Sequence, residues 1–221
     1  GTIGFAGGMN VREDCLLALA PAHPTRDLHF RLVGPVVRQL VDTFAFDWQF
    51  TTAETLAGEG WFPPLAPRGH VVARGIPDGP DEDLDTLQDA LLGALSQADQ
   101  TIRIATPYFL PDDSLVEAFR IAAMRGVKVD ILLPARGNLR VVEWAAKGQL
   151  TQVLSSGCRV WLSPPPFDHT KLMLVDGAWS LFGSANLDPR SLRLNFEFCV
   201  ECYDQALAGR LGVLFDRRLA A

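Results

Sequence analysis

Long apolar runs are missing from this 221-residue chain: the stretch Cys15–Ala20 falls far short of the ~20 residues that cross a bilayer, and Pro21 ends it. A basic excess is missing too. With 20 Lys and Arg against 26 Asp and Glu, the formal charge is −6, which argues against a nucleic-acid partner, since such proteins carry a basic surface. The first residues show neither the basic region nor the cleavage pattern of a leader. Cysteine is scarce, with Cys15, Cys158, Cys199 and Cys202 only. Cys199 and Cys202 have C-x-x-C spacing, but no second such pair exists. They sit in an alternating segment, Asn195–Tyr203, where side chains three apart point to opposite faces. Buried free thiols are therefore expected in place of a zinc or redox site. A hydrophobic share of 48% with 21% charged residues describes an ordinary folded protein.

What is present is a polar constellation near the end. His169-Thr-Lys171, Asp176 and Gly183-Ser184-Ala185-Asn186 spell H-x-K-x4-D-x6-G-S-x-N. Its tail recurs at the start as Gly7-Gly8-Met9-Asn10; aligning Gly7 with Gly183 pairs Asn10 with Asn186. The same alignment carries Asp176 to the position before Gly1, and Lys171 and His169 further upstream. The chain is thus expected to open inside a first copy of the motif, as a piece of a longer protein; Gly1 in place of an initiating Met agrees.

Between the two copies, strands are expected at 2–10 and Asp27–Val33. A helix follows Gly34-Pro35, with an apolar stripe of Val37, Leu40, Val41, Phe44 and Trp48. Gly58–Pro80, rich in Gly and Pro, reads as the connection between two lobes. Then helices and strands alternate. A helix over 83–98 opens with Asp81, Glu82, Asp83 and Asp85, a strand covers Thr101–Ala105, and a helix runs Asp112–Arg125. A strand at Val127–Leu133, a helix over 138–155 and a strand at Cys158–Leu162 precede the motif strands. The expected fold is α/β, in two pseudo-repeated lobes, each a mixed sheet flanked by helices. Residues 1–75 form the end of an incomplete first lobe and 76–221 the second.

Strand parity sorts the motif. His169 and Lys171 share a face; Asp176 falls on the other, so although it belongs to the motif it should brace structure and not touch substrate. Ser184 and Asn186 share a face, as do Gly8 and Asn10, and Glu197 opposes an apolar face of Phe196, Phe198, Val200 and Cys202. This set suits cleavage of a phosphodiester. Lys171 supplies positive charge, and Ser184, Asn186, Asn10 and the Gly8 backbone neutral contacts, to the phosphoryl oxygens. His169 attacks phosphorus or carries a proton, and Glu197 on its far ring nitrogen would fix the tautomer. Attack and proton donation in one step need two histidines, hence two motifs and a phosphohistidine. His23 and His70, flanked by Pro or Gly in loops, read as structural.

The pattern resembles the phospholipase D superfamily, which pairs two H-x-K-x4-D motifs at one site. Further segments are similar to its cardiolipin synthase-like branch: Gly4–Asn10, Arg26–His29 before Gly34-Pro35, Thr106–Pro111, Ala123–Val127, and Asn186–Ser191 through Asn195-Phe-Glu197. The resemblance supports Glu197, by its spacing from His169, as the histidine-orienting carboxylate, and places the first copy's carboxylate at Asp27. The sequence departs from the branch at Asp168, where an apolar residue usually precedes the histidine, and at Gly137-Asn138, where an Asp is usual. The resemblance implies a phosphatidyltransferase that exchanges the alcohol of a glycerophospholipid for another alcohol or phospholipid. Neither metal nor other cofactor is called for, and nucleic acid is not an expected partner. It also implies a membrane surface as the working place, at a bacterial inner membrane, reached through segments outside this chain. A phosphodiesterase or nuclease would use the same residues, and a relative whose upstream motif has lost its histidine would be non-catalytic.

Overall fold

Largely apolar runs form the strands, and amphipathic segments form the helices between them, three of which begin at an Asp that caps them. The computed structural model describes residues 1–80, 84–137 and 140–220. Asp81, Glu82, Asp83 and Asn138, singled out above, lie outside these. β1 (Ile3–Gly7) is followed by β2 (Thr25–Arg26), β3 (His29–Val33) and α1 (Val36–Thr52). Next come β4 (Val72–Asp78), α2 (Thr86–Gln97), β5 (Thr101–Ala105), α3 (Asp113–Met124), β6 (Lys128–Pro134) and α4 (Arg140–Ser155). The chain continues through β7 (Arg159–Ser163), β8 (Phe167–Asp168), β9 (Leu172–Val175), β10 (Trp179–Gly183), α5 (Pro189–Arg193), β11 (Glu197–Tyr203) and α6 (Gln205–Leu219).

Seven strands make one mixed sheet in the order β4-β11-β10-β9-β5-β6-β7, antiparallel from β4 to β5 and parallel from β5 to β7. Both faces are covered. Leu87, Leu91 and Leu95 of α2, with Leu115, Val116 and Phe119 of α3 and Val153 of α4, pack on Ile102, Ile104, Ile131 and Met173. Across the sheet, Leu211 and Phe215 of α6 join Leu172, Leu174, Phe182 and Val200. Alternation along each strand divides its apolar residues between these two layers. The helix ends follow from local chemistry: Asp112 and Asp204 accept the N–H groups of Leu115 and Leu207, capping α3 and α6. Gly126, at φ +93°, turns the chain out of α3.

The first-copy hairpin, β1 antiparallel to β3, lies on the α6 side of the sheet. Phe30 stacks on Phe182 with ring centroids 3.6 Å apart, and Ala6, Leu32 and Val37 complete that layer. Two expectations are corrected here. The Gly- and Pro-rich segment contains β4, which pairs with β11 along its whole length. The strand begins at Val72 and forms an edge of the large sheet. The stripe of α1 is buried only at its start: Val37 is fully covered, whereas Phe44 and Trp48 are exposed. Phe44 stacks on both Trp48 and Trp61. Cys199 and Cys202 fall in opposite layers, and all four cysteines are free.

Candidate active site

The site lies at one end of the sheet, where the parallel strands β5, β6 and β7 finish, β9 and β11 begin and β10 ends. Such carboxyl ends are where an open α/β sheet leaves a crevice. Two glycines share a design there. Gly7 pairs with His29 across β1 and β3, and Gly183 pairs with Cys199 across β10 and β11. Stepping back from each partner to the second residue before it reaches Asp27 and Glu197. The two carboxylates therefore occupy the same place in two related hairpins, although the loop leading to Asp27 is longer than the one leading to Glu197.

His169 sits between the copies. Its Nδ1 is 2.9 Å from Oδ2 of Asp27, whose side chain is 3% exposed, and 3.2 Å from the carbonyl oxygen of Gly8. An Nδ1–H donated to Asp27 would leave the Nε2 lone pair for chemistry. Glu197 was expected to hold this ring. It does not: its carboxylate accepts hydrogen bonds from Ser184 Oγ at 2.5 Å and Asn195 Nδ2 at 3.0 Å. The carboxylate of one copy thus serves the histidine of the other. The sequence could not show this, because spacing within a motif says nothing about pairing between motifs. Ser184 changes role as well: its hydroxyl donates to Glu197 and accepts the Phe198 N–H, so its proton is not offered to a phosphate.

Lys171 is almost wholly buried, with Nζ 2.8 Å from Nδ1 and 2.9 Å from Nε2 of His169 and donating to the His169 carbonyl at 2.7 Å. Burial pulls its ammonium down from 10.5 to about 8, against the opposing pull of Asp27, then Glu197, Asp168 and Asp188. Gly8 lies against both partners: a Cβ there would sit 2.7 Å from Asp27 Oδ2 and 2.7 Å from Lys171 Cδ. Asn186 donates to Ser191 Oγ at 3.2 Å, and its buried Oδ1 has no partner among the described residues. Asp176 is at the far end of β9, at φ +51°, and accepts the N–H groups of Asp99, Gln100 and Thr101. It fastens the start of β5 and is not part of the reacting set.

A cleft of about 660 Å³ opens beside His169, lined by Asn10, Arg12, His23, Tyr108, Arg136 and Ser163 among others. The ring of Tyr108 stands edge-on to His169, with centroids 6.3 Å apart, which makes it a wall of the site. His23, read from sequence as merely structural, also lines the cleft. Ser163, 2% exposed, has an Oγ without a hydrogen-bond partner among the described residues.

The profile of the family described as "Cardiolipin synthase, PLD-like domain" matches residues 91–219. The chain belongs to the cardiolipin synthase PLD-like domain family. It is 37% identical to cardiolipin synthase A of Pseudomonas fluorescens (strain SBW25) over 213 residues, 94% of this chain and 43% of that protein. It is 34% identical to the major cardiolipin synthase of Bacillus subtilis (strain 168) over 221 residues, 99% of this chain and 46% of that one. This PLD-like chain therefore spans less than half the length of these curated relatives. Among solved structures, it is similar to Nuc, a phospholipase D family member from Salmonella typhimurium, with a TM-score of 0.58 and 22% identity, covering 67% of this chain and 94% of Nuc. Phosphatidylserine synthase from Haemophilus influenzae gives a TM-score of 0.53 at 18% identity, covering 67% and 39%. At these identities both likenesses concern the fold, an α/β architecture common to the PLD-like domain.

Proposed function

We propose that this chain forms one half-site of a cardiolipin synthase-like phosphatidyltransferase, which exchanges the alcohol of a glycerophospholipid through a phosphohistidine. The observation that carries the reading is the His169–Asp27 bond across two motif copies, with Lys171 against the imidazole and a polar cleft in front. In this reading a second motif histidine, beyond the single H-x-K of these residues, attacks phosphorus. The N–P bond forms as the bond from phosphorus to the leaving alcohol breaks. His169, charged at Nε2, gives its proton to the departing oxygen, and Asp27 steadies the imidazolium. The acceptor hydroxyl then returns a proton to Nε2 while its oxygen displaces the imidazole. Lys171 and the Asn186 and Asn10 amides face the phosphoryl charge. Glu197, matching Asp27 by register, would orient the second histidine.

The donor and acceptor are glycerophospholipids, for example two phosphatidylglycerols giving a dimeric lipid and glycerol, so the enzyme works at a membrane surface. No helix among the described residues is long and apolar enough to cross a membrane, so attachment would come from outside them. The test is full-length protein with phosphatidylglycerol in mixed micelles, with and without EDTA. Dimeric lipid and equimolar glycerol in both, with phosphate trapped on histidine, is the expected result. Release of phosphatidic acid alone, cleavage of single-stranded DNA instead, or loss of turnover in EDTA restored by a divalent metal would overturn the reading.

A further inference from the structure

Directly behind the reacting side chains lies a buried charged cluster that the transfer chemistry does not use. Asp168, 5% exposed, precedes His169, and Arg218, 7% exposed, comes from the last turn of α6. One guanidinium nitrogen of Arg218 is 3.1 Å and 3.3 Å from the two Asp168 oxygens and donates to Thr170 Oγ1 at 2.8 Å. Asp168 also accepts the Thr170 N–H at 3.1 Å, and Arg26 approaches it at 4.0 Å. Arg26 in turn accepts the His169 N–H at 2.7 Å through its carbonyl, and β2 pairs with β8 in parallel, Arg26 opposite Asp168. The residues that alternate with this cluster are the site itself: Asp27 follows Arg26, and His169 and Lys171 flank Thr170.

A buried ion pair is a poor source of stability, because desolvation consumes most of its attraction, and apolar residues of similar size often do as well. Its distinctive property is directional: it fixes the register of the segments it joins. Here those segments come from the first copy, the second motif and the terminal helix. We infer that Asp168 and Arg218 are positioning residues, a clamp from α6 that sets the register of β2 against β8 and with it the alignment of Asp27 on His169. The sequence pointed to Asp168 as unusual without showing its distant partner on α6. The clamp makes α6 part of the catalytic apparatus although none of its side chains touches the reacting atoms.

This inference rests on the proposed transferase reading for its kinetic consequence, but not for its spectroscopic one. In full-length protein, Asp168→Val and Arg218→Leu are made singly and together, and followed by thermal unfolding, turnover and the NMR signal of the His169 Nδ1 proton. Each single variant should lower the melting temperature and broaden or lose that proton. The double variant should regain the melting temperature, yet keep a turnover at least about tenfold down and leave the Nδ1 proton unprotected. Recovery of turnover and proton together with the melting temperature would reduce the pair to a packing element. Arg218→Lys serves if the others fail to fold: the contacts all come from one terminal guanidinium nitrogen, which the shorter lysine side chain does not reach. It should lower turnover several-fold with KM little changed, and an unchanged proton signal and turnover would sink the clamp. Absence of phosphatidyl transfer in the wild type, with the proton still responding to the variants, would remove the function and leave the clamp.

Discussion

Nδ1 of His169 and Oδ2 of Asp27 lie 2.9 Å apart across 142 residues of chain, and this contact joins the two copies of the motif. Asp27→Asn keeps the shape but reverses the hydrogen-bond preference, since an amide nitrogen at that place favours the wrong ring tautomer. Turnover should fall on the order of 10³-fold, with the fold retained, as expected when the orienter of a catalytic histidine is lost. Glu197→Gln should show a comparable loss through the second histidine, while leaving the His169 Nδ1 proton in place. Turnover and histidine NMR on the two variants check this; loss of the His169 proton in Glu197→Gln and not in Asp27→Asn would reverse the assignment.

Lys171 links the site to pH. Its ammonium is less favoured in the folded protein, about 8 against 10.5, so charging it costs stability, about 3 kcal/mol. The cost is fully present below about pH 8. Between about 8 and 10.5 the unfolded chain binds the extra proton, and stability from this group rises with pH, complete above that window. Urea unfolding of the wild type and Lys171→Met should therefore converge by about 3 kcal/mol across it. Activity runs the other way: kcat/KM should fall as pH passes about 8 and the cation is lost. A bound phosphate restores the charge, so the limb in kcat should lie at higher pH.

How much of this was visible in the chain depends on whether a feature is local. Cys199 and Cys202 part because of strand parity within β11, which follows from the order of residues. His169 and Lys171 instead lie on the link between β8 and β9, and Asp176 is set apart by its place in the turn after β9, at φ +51°. What escaped was pairing across distance. Glu197 and Asp27 have interchangeable chemistry, so only the register of Gly7 on His29 and Gly183 on Cys199 shows which place each fills. β4 was missed because Gly75 and Pro77 read as breakers. The strand holds them because it is an edge strand, where a proline need not donate to a neighbour.

Asp176 separates bracing from catalysis. Burial alone would raise its carboxyl, but the N–H groups of Asp99, Thr101 and Gln100 outweigh that and hold it below the ordinary 3.8. A depressed carboxyl contributes stability above its unfolded value, lost as pH falls through the folded one. Asp176→Ala leaves three N–H groups unpaired and strains a residue at φ +51°, so it should cost about 2–4 kcal/mol. In urea unfolding that loss should shrink as pH falls through 3.8 and below. Turnover of the folded variant should change less than about threefold, an expectation from its place outside the reacting set; a larger drop at unchanged KM would put Asp176 in the chemistry.

Gly8 tests the closeness of the site directly. A methyl group there would meet Asp27 Oδ2 and Lys171 Cδ at 2.7 Å each, well inside van der Waals contact. The lysine stem can swing, but Asp27 is buried and held by the Leu28 N–H at 2.7 Å and by His169. The strain therefore falls on the His169–Asp27 alignment, where an ångström of misplacement costs about 10²-fold in rate. Gly8→Ala should lose turnover by about that factor and lower stability by about 1–3 kcal/mol, the usual cost of overpacking a buried position. Gly93→Ala provides the contrast: nothing lies within 4 Å of its added methyl, and inside α2 it should add about 0.5–1 kcal/mol of stability with turnover unchanged. If both alanines behave alike in turnover, the glycine at position 8 owes nothing to the approach of Asp27 and Lys171.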